Sequence, residues 1–169
     1  MGRVDYLSGL TVFTKDSFID DRGELFTIWK DTDTPFMNFN HDKAAFSDKN
    51  VLRGLHTDKS WKLITCLYGK IQLVIVNFDK DIAEYLSWTD FILDSNDKEK
   101  LSILVPPGYL NGHLVLSENA LFHYKWSYEG EYPDVKDQKS VRWSDPKIGI
   151  NWLIDNPILS ERDKNTQLL

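Results

Sequence analysis

Cysteine is almost absent from this sequence of 169 residues, in which Cys66 is the single example. No disulfide can therefore form within the chain, which suits a reducing compartment, and we expect a cytoplasmic protein. The N-terminal stretch MGRVDYLSGL lacks the apolar run of a signal peptide, and no other apolar run is long enough to span a bilayer. We therefore expect no membrane partner.

Basic residues are in the minority, with 20 Lys and Arg against 26 Asp and Glu and a formal net charge of −6 at pH 7. Such a chain lacks a basic field for a nucleic-acid backbone, so we expect no nucleic-acid partner. A local basic pocket for a phosphorylated small molecule stays compatible with this charge. Internal repeats, linkers and low-complexity segments are also absent, and the length fits one domain over residues 1–169.

Helical periodicity is scarce, and short segments rich in β-branched and aromatic residues take its place. They predict an all-β fold, either a closed barrel or a two-sheet jelly roll with a ligand site in its mouth. A short C-terminal helix is predicted to begin after Ser160, with Asp163 at its third position. The predicted strands are residues 10–14, 25–29, 51–56, 62–68, 70–78, 84–93, 100–106, 112–117 and 120–126.

Two segments resemble the halves of a cupin signature, in which residues of a jelly-roll barrel hold a metal ion. The segments are GLHTDKSWKLITCLYG (54–69) and PPGYLNGH (106–113). His56 fills one ligand position, whereas Asp58, Lys62 and Asn111 occupy the others. Because an imidazole with an ammonium and an amide is a poor ligand set for a divalent ion, we expect no metal site.

Without a metal, His56 and Lys62 suit proton abstraction next to a carbonyl group. An imidazole is the natural general base near neutral pH, and a nearby ammonium stabilises negative charge that develops on an oxygen. From these two residues alone, a structural histidine beside a solvated lysine is an equally good interpretation.

Seven segments, distributed along nearly the whole length of the chain, point to a more specific function. They are FIDDRGELF (18–26), NFNH (38–41), NVLRGLH (50–56), KLITCLYGKI (62–71), VPPGYLNGHLVLSENALFHYKWSYEGEYP (105–133), VRWSDPKIGINW (141–152) and LSERD (159–163). Together, and in this order, they resemble the dTDP-4-dehydrorhamnose 3,5-epimerase family, metal-free cupins of nucleotide-sugar metabolism. The resemblance implies a cupin jelly roll that needs no cofactor.

The resemblance also implies roles for four residues. His56 is the expected base that removes the proton α to the C4 ketone of a nucleotide-linked 4-keto-6-deoxy sugar, and Asp163 is expected to bind the far nitrogen of its ring. Lys62 is expected beside the C4 oxygen, where it stabilises the enolate. Tyr124 is expected on the opposite face of the sugar, because inverting a carbon requires proton removal from one face and return from the other.

Nucleotide binding and assembly follow from the same resemblance. Forked guanidinium groups match pyrophosphate oxygens, amides bind sugar or base, and aromatic rings stack on the base. In the family, the segment that carries Arg22 reaches the pocket of a neighbouring subunit, which implies a homodimer with exchanged strands. The expected substrate-binding residues are Arg22, Arg53, Phe18, Asn38, Asn40, Asn111 and Tyr132.

The sequence departs from the family around the sugar, most clearly where the family's HGF becomes Asn111-Gly112-His113. We expect His113 to face away from Asn111, and therefore not to act as a shifted metal ligand. The nucleotide (dTDP, GDP, UDP or CDP), the sugar (hexose or heptose) and the inverted carbon (C3, C5 or both) stay open. The expected pathway is deoxysugar and surface polysaccharide biosynthesis, for capsule or lipopolysaccharide. Alternatives are a nucleotide-sugar 3,4-ketoisomerase, a non-catalytic nucleotide-sugar-binding cupin and a metal-dependent oxygenase.

Overall fold

The structure is a computed structural model that describes residues 2–128 and 138–169. Within these residues the chain is built almost entirely of short strands, and no helix is long and apolar enough to cross a membrane. A 3-10 helix covers Asp31–Asp33, and one turn of helix, α1, covers Glu161–Lys164. The strands are β1 (Thr11–Lys15), β2 (Ser17–Asp20), β3 (Gly23–Phe26), β4 (His41–Asp48), β5 (Leu52–Thr57), β6 (Trp61–Tyr68), β7 (Lys70–Asn77), β8 (Trp88–Asp94), β9 (Lys100–Val105), β10 (Tyr109–Val115), β11 (Asn119–Ser127) and β12 (Lys139–Ser140).

Ten of these strands form two five-stranded sheets. The first sheet has the strand order β1-β9-β6-β11-β4, and the second has the order β12-β5-β10-β7-β8. The paired strands run antiparallel in both sheets, and β2 and β3 form a separate hairpin. The prediction of an all-β fold with a short C-terminal helix is confirmed.

Strand β7 shows how the layers pack, because it is buried on both of its faces. Ile71, Leu73 and Ile75 belong to the apolar core between the two sheets. Val74 and Val76 point the other way, into a second apolar cluster. There, residues 141–159, here called the C-terminal segment, cover the second sheet with Val141, Ile148 and Trp152. A strand covered on both faces reads as a continuous apolar run, which is how KIQLVIVNF appears in the sequence.

The C-terminal segment leads the chain back to the start of β5. The Leu52 N–H donates to the Ile158 carbonyl at 3.0 Å, and the Ile158 N–H donates to the Asn50 carbonyl at 2.8 Å. Helix α1 follows at once, and the Ser160 hydroxyl caps it by accepting a hydrogen bond from the Asp163 N–H at 3.2 Å. This path places Asp163 beside β5.

The strand prediction missed the short strands β2 and β12, and three further parts of it were wrong. Strand β4 was missed, because its sequence HDKAAFSD has low strand propensity and its pairing with β11 makes the strand instead. Residues 84–87 lie in a turn before β8, in which Leu86 has φ 65° and donates its N–H to the Asn77 carbonyl at 2.8 Å. Strand β3 ends at Phe26, so the expected strand at residues 25–29 begins and ends too late.

Candidate active site

A cavity of about 340 Å³ lies between the two sheets and is closed on one side by α1. It gathers side chains from both sheets and from the C-terminal end of the chain, which are far apart in sequence. The lining residues are Ala45, Arg53, His56, Lys62, Ile64, Asn111, His113, Phe122, Tyr124, Trp126, Gln138, Ser160, Arg162 and Asp163.

Strand register decides which of these side chains are neighbours. In the second sheet, His56 on β5 lies opposite Asn111 on β10. Gly54 allows β5 and β10 to approach so closely, because a Cβ at this position, with φ +134°, would lie 2.6 Å from the Gly112 Cα. In the first sheet, Lys62 on β6 lies opposite Trp126 on β11.

His56 is held at both ring nitrogens. Its Nε2 lies 3.1 Å from Oδ1 of Asp163, whose side chain is only 4% exposed. Its Nδ1 lies 3.0 Å from the Ser140 hydroxyl and 3.1 Å from Nη2 of Arg162. Burial acts to raise the pKa of Asp163, but the hydrogen bond and charge of His56, with the Ser160 and Gly54 contacts, outweigh it and lower that pKa below its ordinary value. Asp163 is therefore an ionised partner for the imidazole.

Lys62 is a buried ammonium group with two polar partners. Its Nζ lies 3.1 Å from Oδ2 of Asp58 and donates to Oδ1 of Asn111 at 3.2 Å. Burial lowers the pKa of Lys62, and the charge of Lys43 lowers it further, whereas the charge and hydrogen bond of Asp58 act in the opposite direction. The ring of Trp126 lies 5.1 Å from Nζ, so the cation also faces an aromatic surface.

Tyr124 approaches the cavity from the sheet opposite His56. It is half-buried between the rings of Phe122 and Trp126, with centroid distances of 5.1 and 5.4 Å. Tyr124 and Trp126 are two residues apart on β11 and therefore point to the same face. The cavity thus has an imidazole and a phenol on opposite walls, which suits proton transfer at both faces of one ring.

The expectation for His113 was wrong. Residues two apart on a strand share a face, and both Asn111 and His113 line the cavity. The ring of His113 stacks on Phe122 at 4.0 Å, and its buried Nε2 has no hydrogen-bond partner among residues 2–128 and 138–169. Burial, reinforced by the nearby Arg53 and His56, lowers the pKa of His113 to about 3, so the ring is neutral.

The expected substrate-binding residues divide into two groups. Arg53 and Asn111 line the cavity with the four expected catalytic residues, and the Arg53 Nε donates to the Ser47 hydroxyl at 3.0 Å. Four others lie outside the cavity, and Tyr132 lies outside the described residues. These four are Phe18 and the ion-paired Arg22 on the β2–β3 hairpin, the exposed Asn38, and Asn40, which accepts the Tyr128 N–H at 3.0 Å.

Sequence reasoning missed the residues that complete the surroundings of His56, namely Arg162, Ser140 and Gln138. Arg162 carried a usable signal, because it stands between Ser160 and Asp163 in a motif already assigned to the site. Gln138 directly precedes the two-residue strand β12, which contains Ser140, and no local sequence pattern marks this strand. In the described part of the chain, no group of three or more His, Cys, Asp or Glu side chains is placed to hold a metal ion.

Comparison with known proteins identifies the relatives of this chain. Residues 5–169 match the family model described as dTDP-4-dehydrorhamnose 3,5-epimerase. A protein of that description from Shigella flexneri is 34% identical over 136 residues, which are 78% of this chain and 71% of the relative. Another, from Methanothermobacter thermautotrophicus, is 29% identical over 94% of this chain and 89% of the relative.

A solved structure shares the fold over nearly the whole chain. The dTDP-6-deoxy-D-glucose-3,5-epimerase of Legionella pneumophila, determined in complex with dTDP-4-keto-L-rhamnose, superposes with a TM-score of 0.87. It is 26% identical, and the match covers 96% of this chain and 88% of that structure. The two-sheet arrangement is therefore the cupin-like jelly roll of these epimerases.

Proposed function

The chain belongs to the dTDP-4-dehydrorhamnose 3,5-epimerase family and is an isomerase, and from this premise we propose that it inverts C3, C5 or both of a nucleotide-linked 4-keto-6-deoxy sugar. One observation carries this proposal. His56, in contact with Asp163, and Tyr124 line opposite walls of one cavity, and the buried ammonium of Lys62 lines it as well.

The proposed reaction begins with proton removal from the carbon next to the C4 ketone. His56 takes the proton, the C–H electron pair forms a C=C bond, and the C4 carbonyl becomes an enolate oxygen. The buried ammonium of Lys62 stabilises that negative charge, and Asp163 stabilises the imidazolium. The Tyr124 hydroxyl then returns a proton to the opposite face, and solvent resets both groups. No electron is gained or lost overall.

A dTDP-linked 4-keto-6-deoxyhexose is the substrate that we propose first. The Legionella relative was determined with dTDP-4-keto-L-rhamnose, and two relatives carry the dTDP-4-dehydrorhamnose description. The change at Asn111, where the family has a histidine, favours including GDP-, UDP- and CDP-linked sugars and heptoses in the same test. We place the reaction in the cytoplasm, where it serves deoxysugar biosynthesis for capsule or lipopolysaccharide.

We also propose a homodimer in which the β2–β3 hairpin reaches the cavity of the partner. Phe18 on β2 and Leu25 on β3 lie opposite each other in the hairpin, and each is 72% exposed, which is unusual for two neighbouring large apolar side chains. Within residues 2–128 and 138–169, Arg22 at its tip forms an ion pair with Asp20 alone, and its side chain is 90% exposed, so its guanidinium is accessible to a partner.

Deuterium incorporation tests the reaction. The protein is incubated with dTDP-4-keto-6-deoxyglucose in D₂O, and NMR reads deuterium and configuration at C3 and C5. We expect deuterium at one or both carbons with inversion, and His56→Asn should lower the rate by roughly 10²–10⁴-fold, the scale for a general base. Tyr124→Phe should retain exchange on the His56 face but lose inversion, because the second proton donor is missing.

The same experiment separates the other functions. A 3,4-ketoisomerase would move the carbonyl signal from C4 to C3. A non-catalytic binding protein would bind the nucleotide sugar without exchange. The absence of deuterium with every dTDP-, GDP-, UDP- and CDP-linked substrate would reject the epimerase proposal.

A further inference from the structure

Arg162 makes a contact that the proposed reaction does not require. Its Nη2 lies 3.1 Å from Nδ1 of His56 and donates to the Ser140 hydroxyl at 2.7 Å. Its Nη1 donates to Oε1 of Gln138 at 3.1 Å. A guanidinium group is therefore held directly against the imidazole that is proposed to act as the base.

The chemistry of these groups decides which nitrogen carries the ring proton. A guanidinium has only donors, so the Nδ1 of His56 must present a lone pair to Arg162. The ring proton then lies on Nε2, 3.1 Å from Oδ1 of the Asp163 carboxylate. The Ser140 hydroxyl accepts from Arg162 and can donate its own proton to Nδ1, 3.0 Å away. Nδ1 is consequently the atom that is able to take a proton from the substrate.

The contact between the Arg162 guanidinium and Nδ1 of His56 is favourable only while the imidazole is neutral. Within residues 2–128 and 138–169, no carboxylate lies within 4.0 Å of its guanidinium, and its side-chain partners are the uncharged Gln138, Ser140 and His56. A second ring proton would place two cations against each other and would remove the lone pair that Arg162 meets. Arg162 therefore opposes loss of the base to solvent protons.

We propose that Arg162 is a positioning residue for the base: it reserves Nδ1 of His56 as the proton acceptor and yields that position to the substrate. The sugar C–H bond has to reach Nδ1 along the direction that the guanidinium occupies. The nucleotide sugar carries a negatively charged diphosphate, which offers Arg162 an alternative partner as it moves. Arg162 and Asp163 are consecutive residues of α1, so one turn of helix presents both partners of the ring.

The first test needs no substrate. Side-chain ¹⁵N NMR of histidine-labelled protein reports the protonation of each ring nitrogen, and His56→Asn assigns the signals among the 4 histidines. In the wild type we expect the neutral ring to carry its proton on Nε2. In Arg162→Gln and Arg162→Met we expect Nδ1 to take a proton at a higher pH than in the wild type, since a like charge 3.1 Å from it has been removed. Arg162→Lys, which keeps the charge, should stay near the wild type.

The matched control is Arg142→Gln, a half-buried arginine of the C-terminal segment that does not line the cavity. It should titrate as the wild type does, and thermal melting verifies that each variant is folded. An unchanged titration in both neutral Arg162 variants would overturn the proposal, and so would a wild-type ring with its proton on Nδ1.

The second test rests on the proposed epimerase function and uses kcat/KM as a function of pH. In Arg162→Gln the acid limb should move to higher pH by the same amount as the NMR titration, and KM should rise if Arg162 moves onto the diphosphate. An acid limb that stays in place while the NMR titration moves would refute a role in the reaction. If the wild type exchanges no deuterium with any substrate, the epimerase function fails, but the NMR experiment still decides the role of Arg162.

Discussion

At the scale of single residues, two influences act in opposite directions on the pKa of Lys62: burial lowers it, and the carboxylate of Asp58 raises it. Enolate stabilisation requires its charged form, and burial lowers the pKa of Lys62 below the ordinary 10.5. Activity should therefore fall as the pH rises through this lowered value, before a solvated lysine would lose its proton. Asp58 limits the effect, since its carboxylate lies 3.1 Å from Nζ and is 2% exposed.

Asp58→Asn tests this balance. Loss of the carboxylate charge should lower the pKa of Lys62 further, so the alkaline limb of kcat/KM should move to lower pH. The rate should therefore fall more at about pH 9 than at about pH 7. The control is Asp48→Asn at the exposed end of β4, which removes the same charge far from Lys62. Equal pH profiles for Asp58→Asn and the wild type would contradict this account of Lys62.

At the scale of elements, sequence patterns predicted strands well where side chains decide the structure and poorly where pairing decides it. The apolar runs of β6 and β7 are buried, and their propensity agrees with their packing. Strand β4 is polar and half exposed, so only its pairing with β11 makes it a strand. The residues of the site divide in the same way, into those that sequence motifs identify and those that strand pairing brings into place. Motifs revealed His56 and Lys62, whereas the contact of Ser140 with His56 depends on β12 pairing with β5.

Gln72 on β7 shows how the C-terminal segment is attached to the second sheet. The residue is fully buried, and its Oε1 accepts the Leu153 N–H at 3.0 Å. Its Nε2 donates to the Asn151 carbonyl at 3.1 Å and to Oδ2 of Asp90 at 3.0 Å. Because the C-terminal segment leads directly to α1, this amide helps to hold the helix that presents Asp163.

Gln72→Met keeps the side-chain shape but removes all three hydrogen bonds. We expect the free energy of unfolding in urea to fall by about 1–3 kcal/mol, because buried polar partners are left unsatisfied. The exposed Gln167→Met is the control and should change little. The variant should also lose epimerase activity beyond its loss of folded protein, since α1 is less firmly placed. A loss of stability no larger than that of the control would show that these bonds do not anchor the segment.

At the scale of the whole molecule, the proposed homodimer would place the residues of the β2–β3 hairpin and those of the cavity in different subunits. His56 and Asp163 belong to the same cavity, 3.1 Å apart within one chain. Arg22, with its side chain 90% exposed, lies outside that cavity. In the proposed dimer each site therefore combines His56 of one protomer with Arg22 of the other.

Mixed dimers test this division. His56→Asn and Arg22→Ala should each be weakly active alone, because every site lacks one group. When the two variants are co-expressed with different tags, a mixed dimer contains one site with both native residues, and activity should return in the doubly purified fraction. Mixing His56→Asn with Asp163→Asn should restore nothing, because both residues belong to the same site. If the first mixture also stays inactive, or if the protein elutes as a monomer, the hairpin does not complete a partner's site. Arg22 would then act, if at all, within its own chain.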